Sequence, residues 1–423
     1  MKSVNSLLAA TGTTIFTVMS ALASEHKAIN LGQGFPDTDG PQDVIAAAAE
    51  ALRDGRNQYP PLTGVPELRC AVAAANRRFY ALDVDPVSEV VVTSGATEAI
   101  TACLMAVLDP GDEVVLIEPL YDTYLPVVRL LGAVPRLVRL LPPDWRLPRE
   151  ALAAAFGPRT KAILLNSPMN PTGKVFDRDE LEFIAGLVRQ HDTFAICDEV
   201  YEHLTLDGKT HIPLMTLPGM RDRCMRISSA GKTFSLTGWK IGYVTACPAL
   251  AKVVAKAHQN LTFTTPPNLQ RGVAVGLAKD DGYFASLRND LQAQRDRLSA
   301  GLSGIGFGVL ETHGSYFLTA DILPLGFESG DVAFCRHITE QAGVTAIPMS
   351  AFYEIDAPNH YVRFAFCKQP AVLDEAIGRL ERHFASRAAG SGRAASQPTT
   401  PTQSRAPNRS IGEAQLTAAG GSA

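Results

Sequence analysis

The chain has 423 residues, 46% of them hydrophobic and 19% charged, with 34 glycines and 28 prolines, a composition that suits one large core with a smaller companion. Its 39 lysines and arginines nearly balance 43 aspartates and glutamates, leaving a formal net charge of -4, which argues against nucleic acid or an anionic membrane as the main partner. Seven widely spaced cysteines without a CxxC pair point to buried thiols in a reducing compartment, with neither a disulfide framework nor a zinc knuckle.

The first apolar stretch, SLLAATGTTIFTVMSALASE from Ser6 to Glu25, is broken by Gly12, Thr13 and Thr14 and preceded by Lys2 alone. It reads as neither a cleaved signal peptide nor a membrane span, and a cytoplasmic protein is the simpler reading. Helices are expected from Asp43 to Arg53 and from Val65 to Ala81, the second with Pro66 in its first turn. The period then changes: EVVVTSG, from Glu89 to Gly95, is a buried strand that feeds through its glycine into the helix ATEAITACLMAVL. Further strands are expected at DEVVLIEP, TKAILLNSP, FAICDEV and CMRISSA, with helical or turn-rich sequence between them. Such alternation predicts an α/β core around a mainly parallel sheet.

Beyond it, the charged helix from Tyr283 to Ala300, the segment GSYFLTAD, a helix at 332–342, the strand YVRFAFC and a helix from Ala371 to Phe384 suggest a smaller α+β domain. The division expected is an N-terminal arm and small-domain segment at 1–44, a large domain at 45–295, a small domain at 296–385 and a disordered tail at 386–423, where Ala, Gly, Ser, Thr, Pro and Arg dominate.

In a parallel sheet, ligands gather beyond the carboxyl ends of the strands. The unusual residues fall there: Ser94, Gly95 and Thr97 after one strand, Tyr121 after the next, Asn170 after the third, Asp198 and Tyr201 after the fourth, and Ser229 and Lys232 after the fifth. Within SSAGKTFSLTGWKIGY, Lys232 and Lys240 stand eight positions apart. A lysine at such a crevice can act as a nucleophile toward an aldehyde if burial or nearby positive charge keeps its amine partly neutral. Each of these residues also has an ordinary use as a cap, a turn or a core side chain, so the ordered set carries the argument.

INLGQGFPD, NQYPPLTGVPELR, VTSGATEAI, EPLYDTY, NSPMNPTGKV, CDEVYEHL, SSAGKTFSLTGWKIGY and VRFAFCK occur in that order. With them, residues 10–384 resemble the class I/II aminotransferases of the pyridoxal-phosphate fold-type I superfamily, in the branch of the kynurenine, glutamine, methionine and succinyldiaminopimelate enzymes. The resemblance implies a large pyridoxal 5'-phosphate-binding domain, a smaller α+β domain and a homodimer with active sites at the interface. It implies that Lys232 joins the cofactor as a Schiff base and shuttles protons, while Lys240 anchors the phosphate as a point charge. Asp198 faces the pyridine nitrogen, Tyr201 and Asn170 bond the phenolic oxygen, and Tyr121 stacks on the ring. Gly95, Ala96, Thr97 and Ser229 form the phosphate cup, with Ala96 offering only its backbone.

Tyr59 is expected to reach the phosphate in the neighbouring subunit's site. Arg363 clamps the substrate carboxylate with its planar fork, and Gly34 brings backbone against the substrate. Phe263 is available to an apolar or aromatic side chain, although Thr264 follows it where the kynurenine pattern often has histidine. Methionine, glutamine, phenylalanine and succinyldiaminopimelate thus all remain open as donors. The expected activity is ping-pong transfer of an amino group from an L-amino acid to a 2-oxo acid. Cysteine-conjugate β-elimination is the chemical rival, and a non-catalytic effector-binding protein the more distant one.

Overall fold

The computed structural model describes residues 2–10, 12–55 and 57–394. Among the described residues thirteen strands occur in chain order: β1 Ile29–Asn30, β2 Val90–Ser94, β3 Glu113–Glu118, β4 Val134–Arg139, β5 Thr160–Asn166, β6 Phe194–Asp198, β7 Cys224–Ser229, β8 Ile241–Ala246, β9 Gly308–Val309, β10 Phe317–Asp321, β11 Val344–Thr345, β12 Ile347–Pro348 and β13 Tyr361–Ala365. Seven of them form the main sheet in the order β2-β8-β7-β6-β5-β3-β4. Strand β8 is antiparallel to both neighbours, whereas the pairs from β7 through β4 are parallel. The mainly parallel mixed sheet expected from the alternating apolar runs is therefore present.

The sheet is buried on both faces, and strand periodicity divides its side chains between them. Val90 and Val92 of β2 pack with Val44, Leu68, Val72 and Val273, while Val91 joins Ile100, Leu104, Leu250 and Val254 on the other side. The first layer is built by the helices Gln42–Asp54, Pro66–Tyr80 and Pro267–Leu277, the second by Gly95–Val107 and Pro248–Leu261. Pro66, Pro248 and Pro267 each open a helix at N1, where proline's missing N–H costs nothing.

A second sheet, β12-β13-β10-β9, is antiparallel, and β1 pairs in parallel with β11. The amide of Ala365 on β13 donates to the carbonyl of Leu31 at 2.6 Å. Asn30 Oδ1 accepts from the amides of Gly32 and Gln33 at 2.9 and 3.1 Å, folding the chain sharply just before Gly34. The chain from residue 29 is thus tied to elements more than three hundred residues away.

Three boundaries differ from expectation. The expected division at residue 295 falls inside the helix Asp281–Ile305, which Asp280 caps by accepting from the Tyr283 amide and Gly306 ends at φ 111. The helix expected at 332–342 ends at His337 and continues as a π-turn over Ile338–Ala342. The last helix runs Pro370–Ala394, past the expected start of the tail at 386; the rest of that tail, 395–423, lies outside the described residues. Among the described residues no helix is long and apolar enough to cross a membrane. All seven cysteines are free.

One helix contact depends on the absence of a side chain. A Cβ on Gly272 would stand 2.8 Å from the carbonyl oxygen of Val44, 2.9 Å from Ala48 Cβ and 3.0 Å from Trp239, so the helices Gln42–Asp54 and Pro267–Leu277 meet backbone to backbone. Gly272→Ala should destabilise the chain by about 1–3 kcal/mol through overpacking, read as a lower midpoint in urea unfolding.

Candidate active site

The carboxyl ends of β2, β5, β6 and β7 open into a cavity of ≈ 360 Å³. At one end it is lined by Gly95, Ala96, Thr97, Ser229 and Lys240, at the centre by Tyr121, Asp198, Tyr201 and Lys232, and at the other end by Gly34, Asn170 and Arg363. The structure brings all of these sequence-predicted residues together. Tyr59 and Phe263 do not line the cavity: both are exposed, 81% for Tyr59, and they pack edge to face on each other at 5.2 Å.

The first end is made of backbone. Strand β2 turns directly into the helix Gly95–Val107, whose first-turn N–H groups have no partner within the helix. Glu98 accepts from the Ser94 amide and pairs with His258 at 2.6 Å, which fixes the helix start. Gly95 is left-handed at φ +72, with the Lys240 side chain lying across it. Gly242, on the neighbouring β8, allows the approach: a Cβ there would lie 2.6 Å from the Gly95 carbonyl carbon and 2.9 Å from the Ala96 nitrogen.

The centre is polar and buried. Asp198, 4% exposed, accepts from the Tyr124 hydroxyl at 2.5 Å and from the Val200 amide at 3.4 Å. Burial raises its pKa to about 6 against the pull of these donors, so the carboxylate is ionised at neutral pH. Asn166 fixes the loop around it by donating to the Asp198 carbonyl at 2.9 Å and accepting from the Asn170 amide at 2.7 Å. Lys232 donates to the Tyr316 hydroxyl at 3.0 Å. Burial lowers its pKa to about 8, and Arg363 and Lys240 push in the same direction.

The far end is an arginine among aromatic rings. Arg363 on β13 is 1% exposed, donates to Asn170 Oδ1 at 2.9 Å and to the Gly32 carbonyl at 2.6 Å, and lies 3.9 Å from the Phe317 ring centre and 5.1 Å from those of Phe16 and Phe352. Its buried Nε has no partner. Each Nη also carries a second N–H beyond the two bonds given, so the fork retains donor capacity.

Sequence reasoning passed over Tyr124, Asn166, Gly242, Tyr316 and Phe16. Tyr124 had a signal, standing three residues after Tyr121 in the same motif, and Asn166 another, four residues before Asn170. Gly242 stands two residues after Lys240 in the same motif, whereas Tyr316 and Phe16 come from distant segments that only folding brings to the site. Gly242→Ala should force Gly95 and Ala96 away from Lys240. It should weaken binding of inorganic phosphate and pyridoxal phosphate to the cofactor-free chain by at least tenfold, as read by equilibrium titration.

The family model for "Aminotransferase class I and II" matches residues 26–380. The probable N-succinyldiaminopimelate aminotransferase of Mycobacterium tuberculosis (strain ATCC 25618 / H37Rv) is 48% identical over 380 residues, 87% of this chain and 95% of the relative. The methionine aminotransferase of Escherichia coli (strain K12) is 38% identical over 371 residues, 88% and 96% of the two chains. The solved structure of N-succinyldiaminopimelate aminotransferase from Mycobacterium tuberculosis superposes with a TM-score of 0.87, covering 90% of this chain and 100% of that one at 48% identity. A strand-end cavity holding a buried lysine and a buried arginine, on a chain matched over nearly its whole folded length, thus identifies a fold-type I enzyme of amino-group transfer: the chain belongs to the class I and II aminotransferases.

Proposed function

We propose that the chain is a pyridoxal 5'-phosphate-dependent aminotransferase that moves an amino group from an L-amino acid to a 2-oxo acid in two half-reactions. The observation that carries this reading is the pairing of a buried lysine whose pKa is lowered to about 8 with a buried arginine across one cavity. The residues present fit the cofactor. Gly95 and Gly242 leave room that a Cβ would fill, beside unpaired helix N–H groups and Lys240, as a phosphate requires. Asp198 offers a buried carboxylate to a pyridinium, and Tyr121 a ring face at the side. When bound, pyridoxal phosphate supplies an aldehyde that takes up an amine and a ring that accepts electrons from Cα.

The chain's own groups do the rest. Arg363 receives the substrate carboxylate through the planar fork, which sets the direction of the Cα–H bond. Lys232 Nζ, once free, takes the proton from Cα and later returns one. Asp198, ionised at neutral pH, would hold the ring nitrogen, and Tyr201 and Asn170 would hold the phenolic oxygen. Phe16 and Phe317 offer aromatic surfaces beside Arg363, which suits a long, largely apolar side chain. Methionine, the amino acid named for the Escherichia coli relative, has such a side chain.

We further propose a homodimer in which the exposed pair Tyr59 and Phe263 reaches the partner's site, consistent with their standing outside this chain's own cavity. Seven free thiols suit the cytoplasm.

Borohydride reduction of the loaded protein followed by peptide mass spectrometry should place the pyridoxyl group on Lys232, and Lys232→Ala should abolish amine transfer between any donor and acceptor pair while the chain remains folded. Attachment at Lys240, or pyruvate release without amine transfer, would overturn the assignment.

The lysine's acidity gives a second test. With a pKa of about 8, on the order of a tenth of Lys232 is neutral at pH 7, against one in several thousand for an ordinary lysine. The rate at which the cofactor-free chain captures pyridoxal phosphate should therefore rise about tenfold per pH unit up to about pH 8 and level off above it. Stopped-flow absorbance reads this directly; a rate still climbing at pH 10 would show an unperturbed amine.

A further inference from the structure

The Lys232 amine has a partner that the reaction scheme above leaves unused. Tyr316 stands immediately before β10, is 1% exposed, and has its ring edge to face with that of Tyr201 at 5.1 Å. Its hydroxyl donates to the Gly34 carbonyl at 2.5 Å and lies 3.0 Å from Lys232 Nζ. A phenol has one proton. Because that proton is given to Gly34, the oxygen can only accept from Lys232, so the lysine must present an N–H to it. Nζ is also 3.5 Å from the Gly34 carbonyl, so the amine, the phenol and the carbonyl meet at one point. Burial holds the Tyr316 hydroxyl far above its ordinary range, and the phenol stays protonated at working pH. The meeting also explains Gly34: a Cβ there would fall 2.4 Å from the Phe317 ring and 3.3 Å from that of Tyr316.

We propose that Tyr316 is a positioning residue for Lys232: its hydroxyl, aimed by the Gly34 carbonyl, receives an N–H of the free ε-amine and parks the nitrogen at the cavity wall with its lone pair unspent. This rests on Lys232 being the covalent lysine. An amine so held is tethered between the strand that carries Arg363's neighbour Phe317 and the loop that carries Gly34, in reach of a substrate Cα. The acceptor also favours the charged amine over the neutral one. The other groups whose charge acts on Lys232 include Cys367, Asp198, Arg363 and Lys240, all of which both variants retain, although Tyr316 acts on Arg363 as well.

Tyr316→Phe removes the acceptor and keeps the ring. In the full-length, cofactor-free chain, competitive labelling with acetic anhydride at pH 7, quantified on the Lys232 peptide, should rise about three- to tenfold as the charged form loses its partner. Tyr316→Leu, which lacks the hydroxyl in a different shape, should shift labelling in the same direction, so a folding defect in one variant leaves the test intact. In the loaded enzyme, kcat should fall with KM for the amino donor unchanged, because the proton carrier is misplaced and the carboxylate site is not. Labelling rates equal to the unaltered chain's in both variants, or a raised KM with unchanged kcat, would overturn the proposal. A reduced adduct found on another lysine would instead remove the assignment of Lys232, while the labelling result would still report the contact.

Discussion

The guanidinium of Arg226 holds the floor of the site in place. It lies on β7 at 2% exposure, donates from Nε to Glu199 at 2.5 Å and from Nη2 to Glu202, and reaches Asn76 of the helix Pro66–Tyr80 at 2.8 Å. Tyr80 covers it, with the ring centre 4.5 Å away, and gives its own hydroxyl to Glu202 at 2.6 Å; His211 completes Glu199 at 2.9 Å. Burial pushes Glu202 up, but Arg226, His203 and the hydroxyls of Tyr80 and Ser228 together outweigh it and hold the carboxyl at about 2. Breaking such a buried cluster at one member typically costs about 3–5 kcal/mol, because the remaining charges stay buried without a partner. Its value to the site is positional. Glu199 and Glu202 alternate with Asp198 and Tyr201 in one short turn, so anchoring the first pair away from the cavity leaves the second pair facing into it.

The opposite wall is assembled from three distant segments, around residues 34, 316 and 363. Antiparallel pairing sets Phe317 opposite Ala365 and Thr319 opposite Arg363, and the amide of Ala365 fixes the chain at Leu31. Carbonyl groups of the N-terminal segment then serve as acceptors for both buried basic side chains, Gly32 for Arg363 and Gly34 for Lys232. A segment short of regular structure thus gives an acceptor to each of two buried basic groups.

What could be read from the sequence was whatever a single strand, turn and helix encode locally. Apolar runs ending in Gly95, Asn166, Asp198 and Ser229 marked both the sheet and the end of it where ligands gather, because a parallel strand must be apolar throughout and its polar side chains can begin only at its exit. Tyr316 gave no such signal, since its role depends on a carbonyl 282 residues earlier in the chain. Gly242 looked like any strand glycine until β8 was seen lying against Gly95. The antiparallel sense of β8 was equally hidden: a buried strand shows the same apolar pattern in either direction. The expected domain boundary at 295 falls within a helix that runs unbroken to Ile305, and the strands β9, β11 and β12, at two residues each, are too short to leave a period.

The reversed direction of β8 has a mechanical meaning. The chain leaves β7 at Ser229, makes the single turn Ala230–Thr233, passes through the 3-10 turn Thr237–Trp239 and re-enters the sheet through Lys240, left-handed at φ 54. Lys232 and Lys240 are therefore carried on one short loop clamped at both ends by neighbouring strands. Any shift of that loop moves the amine and the second positive charge together, so reach toward a carbonyl carbon and grip on an anion behave as one degree of freedom, adjustable only in concert.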